Sequence, residues 1–310
     1  MIPGSPVPIG TAEDARVRGL VGLGFVAMSA GAFAGQSIAI KLAYRHGIDA
    51  LSLASVRSVL STFILWVALR TIRRRRGPTH RQTLTLLLLG GLGGLSGLML
   101  LEALARMPAG TVILTLYTYP ALVALMTLLF RRGTLSPRVV VPLTLSLGGL
   151  ALVLGTPADG VDPVGIVLSL GAASATALFA FLLEGAADQV DAFTASTLVL
   201  AGTAFVLVAI ALAARPPIPD PNPALVGWVG LVSVLMPLAI TAYVAAVARI
   251  GPTRTAIGTT LDPVLTVLMA ALLLGERFGP GQIFGGILVI AAAAMLPVIT
   301  ARRPPPVRVG

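Results

Sequence analysis

The fold is decided by residues 246–280, AVARIGPTRTAIGTTLDPVLTVLMAALLLGERFGP, because residues 103–137, ALARMPAGTVILTLYTYPALVALMTLLFRRGTLSP, repeat their pattern without a gap at an offset of 143 residues. Each copy begins with an arginine-bearing turn, continues as an apolar run that a proline interrupts midway, and ends in a second turn. The identical positions, in first-copy numbers, are Ala103, Ala105, Arg106, Pro120, Leu122, Leu125, Met126, Leu129 and Pro137. We therefore expect two related halves.

The chain that contains this repeat has the composition of an integral membrane protein. Its 310 residues are 56 % hydrophobic and 11 % charged, with a mean hydropathy of +0.95, whereas soluble domains carry about 25 % charged residues. A bilayer core about 30 Å thick requires roughly 20 residues of helix. Runs of this kind cover residues 19–43, 50–70, 83–104, 109–130, 138–156, 163–184, 192–213, 224–247, 253–274 and 281–301. The predicted fold class is all-α, a single polytopic membrane domain of ten transmembrane helices in which the first helix is retained.

The positive charges indicate the orientation in the membrane. With the amino terminus in the cytoplasm, sixteen of the 22 Lys and Arg residues fall on the cytoplasmic side, as the positive-inside rule favours. We therefore predict that both termini are cytoplasmic, in the cell (inner) membrane. The net charge of +10 is a topology signal that follows the connections, so we expect a lipid bilayer as the partner and no nucleic acid.

The two copies of the repeat lie five spans apart, and an odd shift reverses direction across the membrane. The predicted organisation is a first five-helix repeat at 15–157 and a second, inverted repeat at 158–302, with a flexible N-terminus at 1–14 and a flexible basic tail at 303–310. Inverted repeats are characteristic of secondary transporters, which bind substrate near the membrane midplane between the halves.

The layout resembles the drug/metabolite transporter superfamily, specifically its EamA-type family of ten-helix, two-repeat carriers. Within that family it is similar to the YddG-like exporters of aromatic amino acids. The matching stretches are Gly31 to Gly35 with Lys41, Arg57, Glu102 to Gly110 with Tyr119-Pro120, Val247 to Pro252 with Asp262-Pro263, and Gly275-Glu276-Arg277. The last stretch is similar to the family's G-E-R element, from which the first half departs because it has Arg132-Gly133-Thr134 there.

Asp262 is the leading candidate for a transport residue, because no other acid lies so deep in a predicted span and ionisable groups at that depth are costly. It could bind a substrate ammonium or carry a coupled proton. Alternatively, it could be satisfied by Thr259 and Thr260 or by a buried basic partner.

Tyr117 and Tyr119 occupy the mirrored part of the fourth span, with Tyr119 matched to Asp262. They could stack on an aromatic or cationic ligand, or form interhelical hydrogen bonds. Pro120 and Pro263 should loosen their helices at one depth and serve as hinges, since proline removes a helical hydrogen bond.

The remaining candidates lie nearer the outer side. Arg57 could face a carboxylate of the substrate or of Asp262. Lys41 could reach the same cavity or extend to the outer interface. Gln36 and Tyr243 could line the cavity or form interhelical hydrogen bonds.

Two further groups of residues have a structural interpretation. Glu102 with Arg106, and Glu276 with Arg277, suit ion pairing at the outer interface, or alternatively an extracellular gate. The glycines at 90–97 lack the lysine of a phosphate-binding loop, and their spacings, like Gly31 with Gly35 and Gly281 with Gly285, favour close helix contact.

These observations favour a carrier that exports small organic metabolites by alternating access to a central cavity, with amino acids that carry aromatic or bulky apolar side chains as the favoured substrates. A broad-specificity drug or organic-cation exporter is the close alternative, and a non-transporting scaffold a remoter one. The absence of cysteine and of paired histidines predicts no enzyme activity, cofactor or metal. We expect proton or electrochemical coupling and a monomer or weak homodimer.

Overall fold

The computed structural model describes residues 12–71, 77–130, 137–155, 162–186, 190, 192–217, 219–250 and 258–300. Regular structure in these ranges is helical throughout. The helices are α1 Ala12–Tyr44, α2 Ala50–Thr71, α3 His80–Arg106, α4 Ala109–Leu116, α5 Tyr119–Phe130, α6 Pro137–Gly155, α7 Pro163–Ala186, α8 Ala192–Ala214, α9 Pro223–Ile250, α10 Leu261–Met269, a π turn Ala270–Leu274, and α11 Pro280–Thr300.

Six of the described helices are long and apolar enough to cross a membrane: they lie within α1, α2, α3, α7, α8 and α9. Four shorter apolar helices occupy 109–123, 140–153, 261–274 and 280–295. Large apolar side chains such as Phe205, which is 76 % exposed, cover the outer surface, as lipid contact requires. Helix α1 begins at Ala12, inside the range 1–14 that was predicted to be flexible, and the tail 303–310 lies outside the described residues.

Both copies of the repeat contain an interrupted helix. A turn at Tyr117 and Thr118 separates α4 from α5, and a turn at Thr259 and Thr260 precedes α10. In each copy the proline lies within the first three residues of the helix that follows the turn, where its missing N–H costs no helical hydrogen bond. The interruption predicted at Pro120 and Pro263 is therefore present, and in each copy it falls just before the proline.

Helices of one half pack mainly on helices of the other half, and the packing is symmetric between the halves. Helices α1, α2 and α3 correspond to α7, α8 and α9. Helix α1 packs extensively on α9, and its counterpart α7 packs extensively on α3. The pair α2 with α9 likewise corresponds to α8 with α3. Helices α6 and α11, which correspond to each other, pack along their length. Each half thus buries its helices mainly against the other half.

Corresponding helices run in opposite directions. The clearest pair is α6 with α11, which the 143-residue offset matches to each other. In α6 and α11, Gly149 lies against Val289 and Gly285 against Val153. The partner residue number falls as that of α6 rises, so this pair is antiparallel, as inverted repeats require.

Glycine permits the closest of these contacts. A Cβ atom on Gly90 of α3 would collide with the carbonyl of Val199 in α8, and one on Gly202 of α8 would collide with the backbone of Leu87. The hydroxyl of Thr203 donates a hydrogen bond of 2.7 Å to the Gly90 carbonyl across the same contact. The close packing predicted for the 90–97 glycines is confirmed, but Gly31 faces open space, so that part of the packing prediction was wrong.

We predict that Gly90→Ala destabilises the protein, because the added methyl overlaps the α8 backbone and forces the two helices apart, at a cost of about 1 to 3 kcal/mol. Gly227→Ala in α9 is the matched control, since nothing lies within 4 Å of its Cβ position. The melting temperature of detergent-purified protein should fall for the first variant and be unchanged or rise for the second. Equal melting temperatures would contradict the contact.

Candidate functional site

Asp262 lies at the amino-terminal turn of α10 with only 8 % of its surface exposed. The Tyr117 hydroxyl is 2.8 Å from its Oδ2 atom, and the Thr266 hydroxyl donates to its Oδ1 atom over 3.2 Å. The same Tyr117 hydroxyl is 3.1 Å from the carbonyl oxygen of Thr259. Each carboxylate oxygen therefore accepts a side-chain hydrogen bond, one from the partner repeat and one from its own helix.

The interrupted helix explains why a carboxylate is tolerated at this point. The first N–H groups of a helix lack internal partners, and the helix dipole gives this end a partial positive charge. Asp262 is the acidic residue of the first turn of α10, so it faces this favourable field. A carboxylate accepts about four hydrogen bonds in all, and two side-chain donors leave capacity for a ligand.

Three of the four tyrosines of the chain lie in this region: Tyr117 bonds to the acid, and Tyr119 and Tyr243 lie close enough to Tyr117 to interact with it electrostatically. The rings of Tyr117 and Tyr119 meet edge to face, with centroids 6.0 Å apart and planes at 65°. Tyr243 and Asp262 are both close enough to Tyr119 to interact with it electrostatically. Tyr243 is 37 % exposed on α9. We call Asp262, Tyr117, Tyr119 and Tyr243 the tyrosine–aspartate cluster.

Arg57 on α2 lies outside this cluster. Its Nη2 atom approaches α3 at Gly97, where an added Cβ would be 3.4 Å away, and its guanidinium interacts electrostatically with Tyr44. Among the described residues, no carboxylate lies within ion-pair distance of Arg57. The suggestion that it pairs with Asp262 is therefore wrong for this structure, since Tyr117 and Thr266 are the side chains that bond to that carboxylate.

Gln36 on α1 is buried, with 5 % of its surface exposed. Its Nε2 group has no hydrogen-bond partner within the part of the chain that the structure describes. A buried amide donor without a partner is costly, by about 1 to 3 kcal/mol. Among these residues the Nε2 group therefore does not form the interhelical hydrogen bond considered from the sequence, and it is an available donor.

Lys41 of α1 and Glu276, which follows the π turn, both bond to the turn between α3 and α4. Lys41 Nζ donates to the Met107 carbonyl. Glu276 Oε1 accepts from the Ala109 N–H at 2.6 Å, and Oε2 accepts from the Gly110 N–H at 3.2 Å. Glu276 thus bonds to the start of α4 rather than acting only in a surface pair with its neighbour in sequence.

Glu102 and Arg106 form the ion pair that their spacing predicts. Their charged atoms are 3.8 Å apart, and Arg106 also lies 3.9 Å from Asp162, just before α7. All three side chains are substantially exposed, so these pairs contribute little stability, about 0 to 1 kcal/mol.

Sequence reasoning missed two residues of these sites. Thr266 lies four residues after Asp262, one helical turn away, and this spacing could have identified it. Tyr44 lies three residues after Lys41, and its hydroxyl donates a hydrogen bond of 2.8 Å to the Leu101 carbonyl. Within the searched residues no group of three or more His, Asp or Glu side chains could hold a metal ion.

We predict that Tyr117→Phe and Asp262→Asn are coupled. Removing the Tyr117 hydroxyl alone leaves a buried carboxylate short of a donor. Tyr117→Phe should therefore lower the melting temperature when Asp262 is present, and should have a smaller effect in the Asp262→Asn background, where the neutral amide depends less on that donor.

The measurement is a double-mutant cycle of thermal unfolding, in which a coupling of about 0.5 to 3 kcal/mol is expected. Tyr44→Phe, which removes a bond to the backbone elsewhere, is the control and should add to Asp262→Asn without coupling. Additive effects of Tyr117→Phe and Asp262→Asn would show that the observed bond carries no energy.

Known proteins share this architecture. Among solved structures, 27 chains match, including one titled "Crystal structure of protein" at 18 % identity and a TM-score of 0.58, which covers 93 % of this chain and 98 % of its own. At that identity the likeness supports the fold alone. A search of curated proteins finds no match.

The model of the EamA-like transporter family matches the chain twice, at residues 20–155 and 163–297. The two matches begin 143 residues apart, which is the offset of the sequence repeat. The chain therefore belongs to the EamA-like transporter family.

Proposed function

We propose that this protein is a secondary transporter that exports amino acids, with aromatic or bulky apolar side chains favoured, through a cavity between its two halves. One observation carries the proposal: buried Asp262 bonds to Tyr117 of the other repeat, and the ring of Tyr117 packs edge to face against Tyr119. A polar group is costly at membrane depth, so a transport role accounts for the position of Asp262.

Asp262 binds the substrate's ammonium group in this proposal. Its carboxylate is held by Tyr117 and Thr266, which fix its orientation while leaving acceptor capacity. The same carboxylate is the candidate carrier of a coupled proton, since a substrate ammonium and a proton would compete for it. Exchange of the two would link export to the electrochemical gradient.

Arg57 and Gln36 bind the substrate's carboxylate. Arg57 has no carboxylate partner among the described residues, and Gln36 has an orphaned Nε2 donor there. A guanidinium can form two parallel hydrogen bonds with a carboxylate, and a primary amide can add a third. The substrate would then satisfy both groups at once.

The tyrosine rings favour a substrate with an aromatic or bulky apolar side chain. Tyr117 and Tyr119 already pack edge to face, which is a preferred geometry for aromatic pairs. A third ring placed beside them, with Tyr243 at the rim, would gain the same contacts. A small hydrophilic side chain would gain none of them.

The transport cycle rests on an inverted ten-span topology with both termini cytoplasmic. The antiparallel pair of corresponding helices, α6 with α11, supports the inversion, and the arginine distribution supports the orientation. Pro120 and Pro263 act as hinges, so that the halves rock and expose the cavity alternately to the two sides. We place the protein in the cell (inner) membrane as a monomer or weak homodimer.

An organic-cation exporter is the second candidate, and one observation favours it. Asp262 and the tyrosine rings form an anionic, aromatic cluster, whereas Arg57 lies elsewhere, against α3. Such a cluster suits a flat cation through ion pairing and cation–π contact without any use of Arg57.

Flux through reconstituted vesicles tests the proposal. Labelled phenylalanine, leucine and glycine would be compared with ethidium, a flat aromatic cation, with and without an imposed proton gradient. We predict phenylalanine flux that Asp262→Asn lowers at least about tenfold, the effect of losing one charged contact. Asp220→Asn, on an exposed connection, is the control and should leave flux unchanged.

Arg57→Gln separates the two candidates. It should abolish phenylalanine flux if the substrate carboxylate meets Arg57, and leave ethidium flux intact if only the cluster binds the cation. Phenylalanine flux that survives both Asp262→Asn and Arg57→Gln would overturn the proposed site. The absence of flux for every amino acid, with ethidium transported, would establish the second candidate.

A further inference from the structure

We propose that Lys41 and Glu276 form a charged clamp that holds the outer gate of the carrier closed. The clamp acts on the turn at 107–110 between α3 and α4. The inference rests on the proposed transport function, because a gate has meaning only in a protein that opens, but it concerns residues outside the tyrosine–aspartate cluster.

The clamp matches each charge to the backbone group it suits. The ammonium of Lys41 donates to the Met107 carbonyl, which follows the last residue of α3. The carboxylate of Glu276 accepts from the N–H groups of Ala109 and Gly110, the first two residues of α4. Charge-assisted hydrogen bonds are about twice as strong as neutral ones, and a carboxylate at a helix N-terminus also gains from the helix dipole.

The local chain conformation presents Glu276 to this helix end. The π turn is followed by Gly275, whose φ of 72° lies in the left-handed region that favours glycine. The N–H of Glu276 bonds back to the Ala270 carbonyl at 3.2 Å. The chain therefore reverses direction directly after the turn, and the carboxylate reaches a residue 167 positions earlier.

The clamp connects parts that must separate when the outer side opens. Glu276 belongs to the second repeat and α4 to the first, so the two Glu276 bonds cross the boundary between the halves. The Lys41 bond lies within the first repeat and fixes the turn to which Glu276 binds. Phe278 reinforces the contact, because its ring lies where a Cβ on Gly110 would be. Rocking of the halves cannot draw α4 away from the second repeat without breaking both Glu276 bonds.

The sequence provides this carboxylate in one half only. The position that corresponds to Glu276 in the first repeat is Gly133, which has no side chain. The carboxylate clamp therefore has no counterpart of the same chemistry at the corresponding position of the first repeat. A one-sided clamp biases the conformational equilibrium toward the state that is closed on the outer side.

A cavity of about 360 Å³ adjoins the clamp and provides a way to measure it. Both clamp residues line it, together with Tyr44, Arg45, Leu104, Ala105 and Leu274. Leu104 is fully buried in this closed state. A reporter at that position should become accessible from the outer side only when the clamp opens.

The test uses the fact that the chain has no cysteine. Leu104→Cys is introduced alone, and a membrane-impermeant maleimide is applied to the outside of intact cells. We predict that adding Glu276→Gln raises the labelling rate at least about tenfold, because a neutral amide binds the two N–H groups less strongly. Lys41→Gln should also raise it. Glu102→Gln removes an exposed carboxylate at the same end and should have no effect.

Three results would overturn the clamp: unchanged labelling in both Glu276→Gln and Lys41→Gln, an equal rise in Glu102→Gln, or labelling only from the cytoplasmic side. Melting temperatures of the variants distinguish opening from unfolding, since only opening leaves them within a few degrees of the parent. Flux measurements separate the failure of the clamp from the failure of the proposed function.

If Glu276→Gln raises labelling but Asp262→Asn leaves flux unchanged, the clamp is supported and the proposed substrate site is rejected. If labelling is unchanged but Asp262→Asn lowers flux, the clamp is rejected and the proposed site is supported.

Discussion

The hydrogen bond between Tyr117 and Asp262 is the interaction on which the centre of the molecule depends. It joins the interrupted helix of one repeat to that of the other, at the turn that follows α4 and the first turn of α10. A carboxylate there would be costly in lipid, and it is stabilised because a tyrosine, a threonine and a helix N-terminus surround it. The fold and the candidate site therefore have a common origin in the two proline-marked interruptions.

The two repeats share what builds the scaffold and differ where chemistry is needed. Pro120 and Pro263 correspond, and so do the helix pairs that cross between halves. Tyr119 corresponds to Asp262, and Gly133 to Glu276, so these two acids, which bond across the repeat boundary, are present in the second copy alone. An inverted repeat with identical copies would have equivalent outer and inner ends. These substitutions make the two copies chemically different where they bond to each other.

Much of the fold follows from the sequence, because hydropathy and proline act locally. The apolar runs correspond to helices, and the interruption before Pro263 follows from the backbone chemistry of proline. Thr266 could also have been predicted as a partner of Asp262, because it lies one helical turn after that residue. The packing of Gly90 against α8 follows from its spacing, although its partner does not.

The remaining contacts depend on distant parts of the chain. Glu276 bonds to Ala109, 167 residues earlier, and nothing in its sequence neighbourhood distinguishes it from an interfacial acid. Arg57 and Asp262 are the deepest opposite charges in the predicted spans, so their pairing was the natural hypothesis. In the structure Arg57 lies against Gly97 on α3 instead, which only three-dimensional packing determines. Candidate residues were thus easier to identify than their partners.

The central claim is that the tyrosine–aspartate cluster contacts the transported solute, and fluorine NMR tests it most directly. The chain has four tyrosines, so protein labelled with 3-fluorotyrosine should give four resonances, each assigned by a Tyr→Phe variant. On addition of phenylalanine, we predict that the resonances of Tyr117, Tyr119 and Tyr243 shift while that of Tyr44 does not, and that Asp262→Asn removes the shifts. Saturable transport of phenylalanine without any shift in those three resonances would contradict the claim.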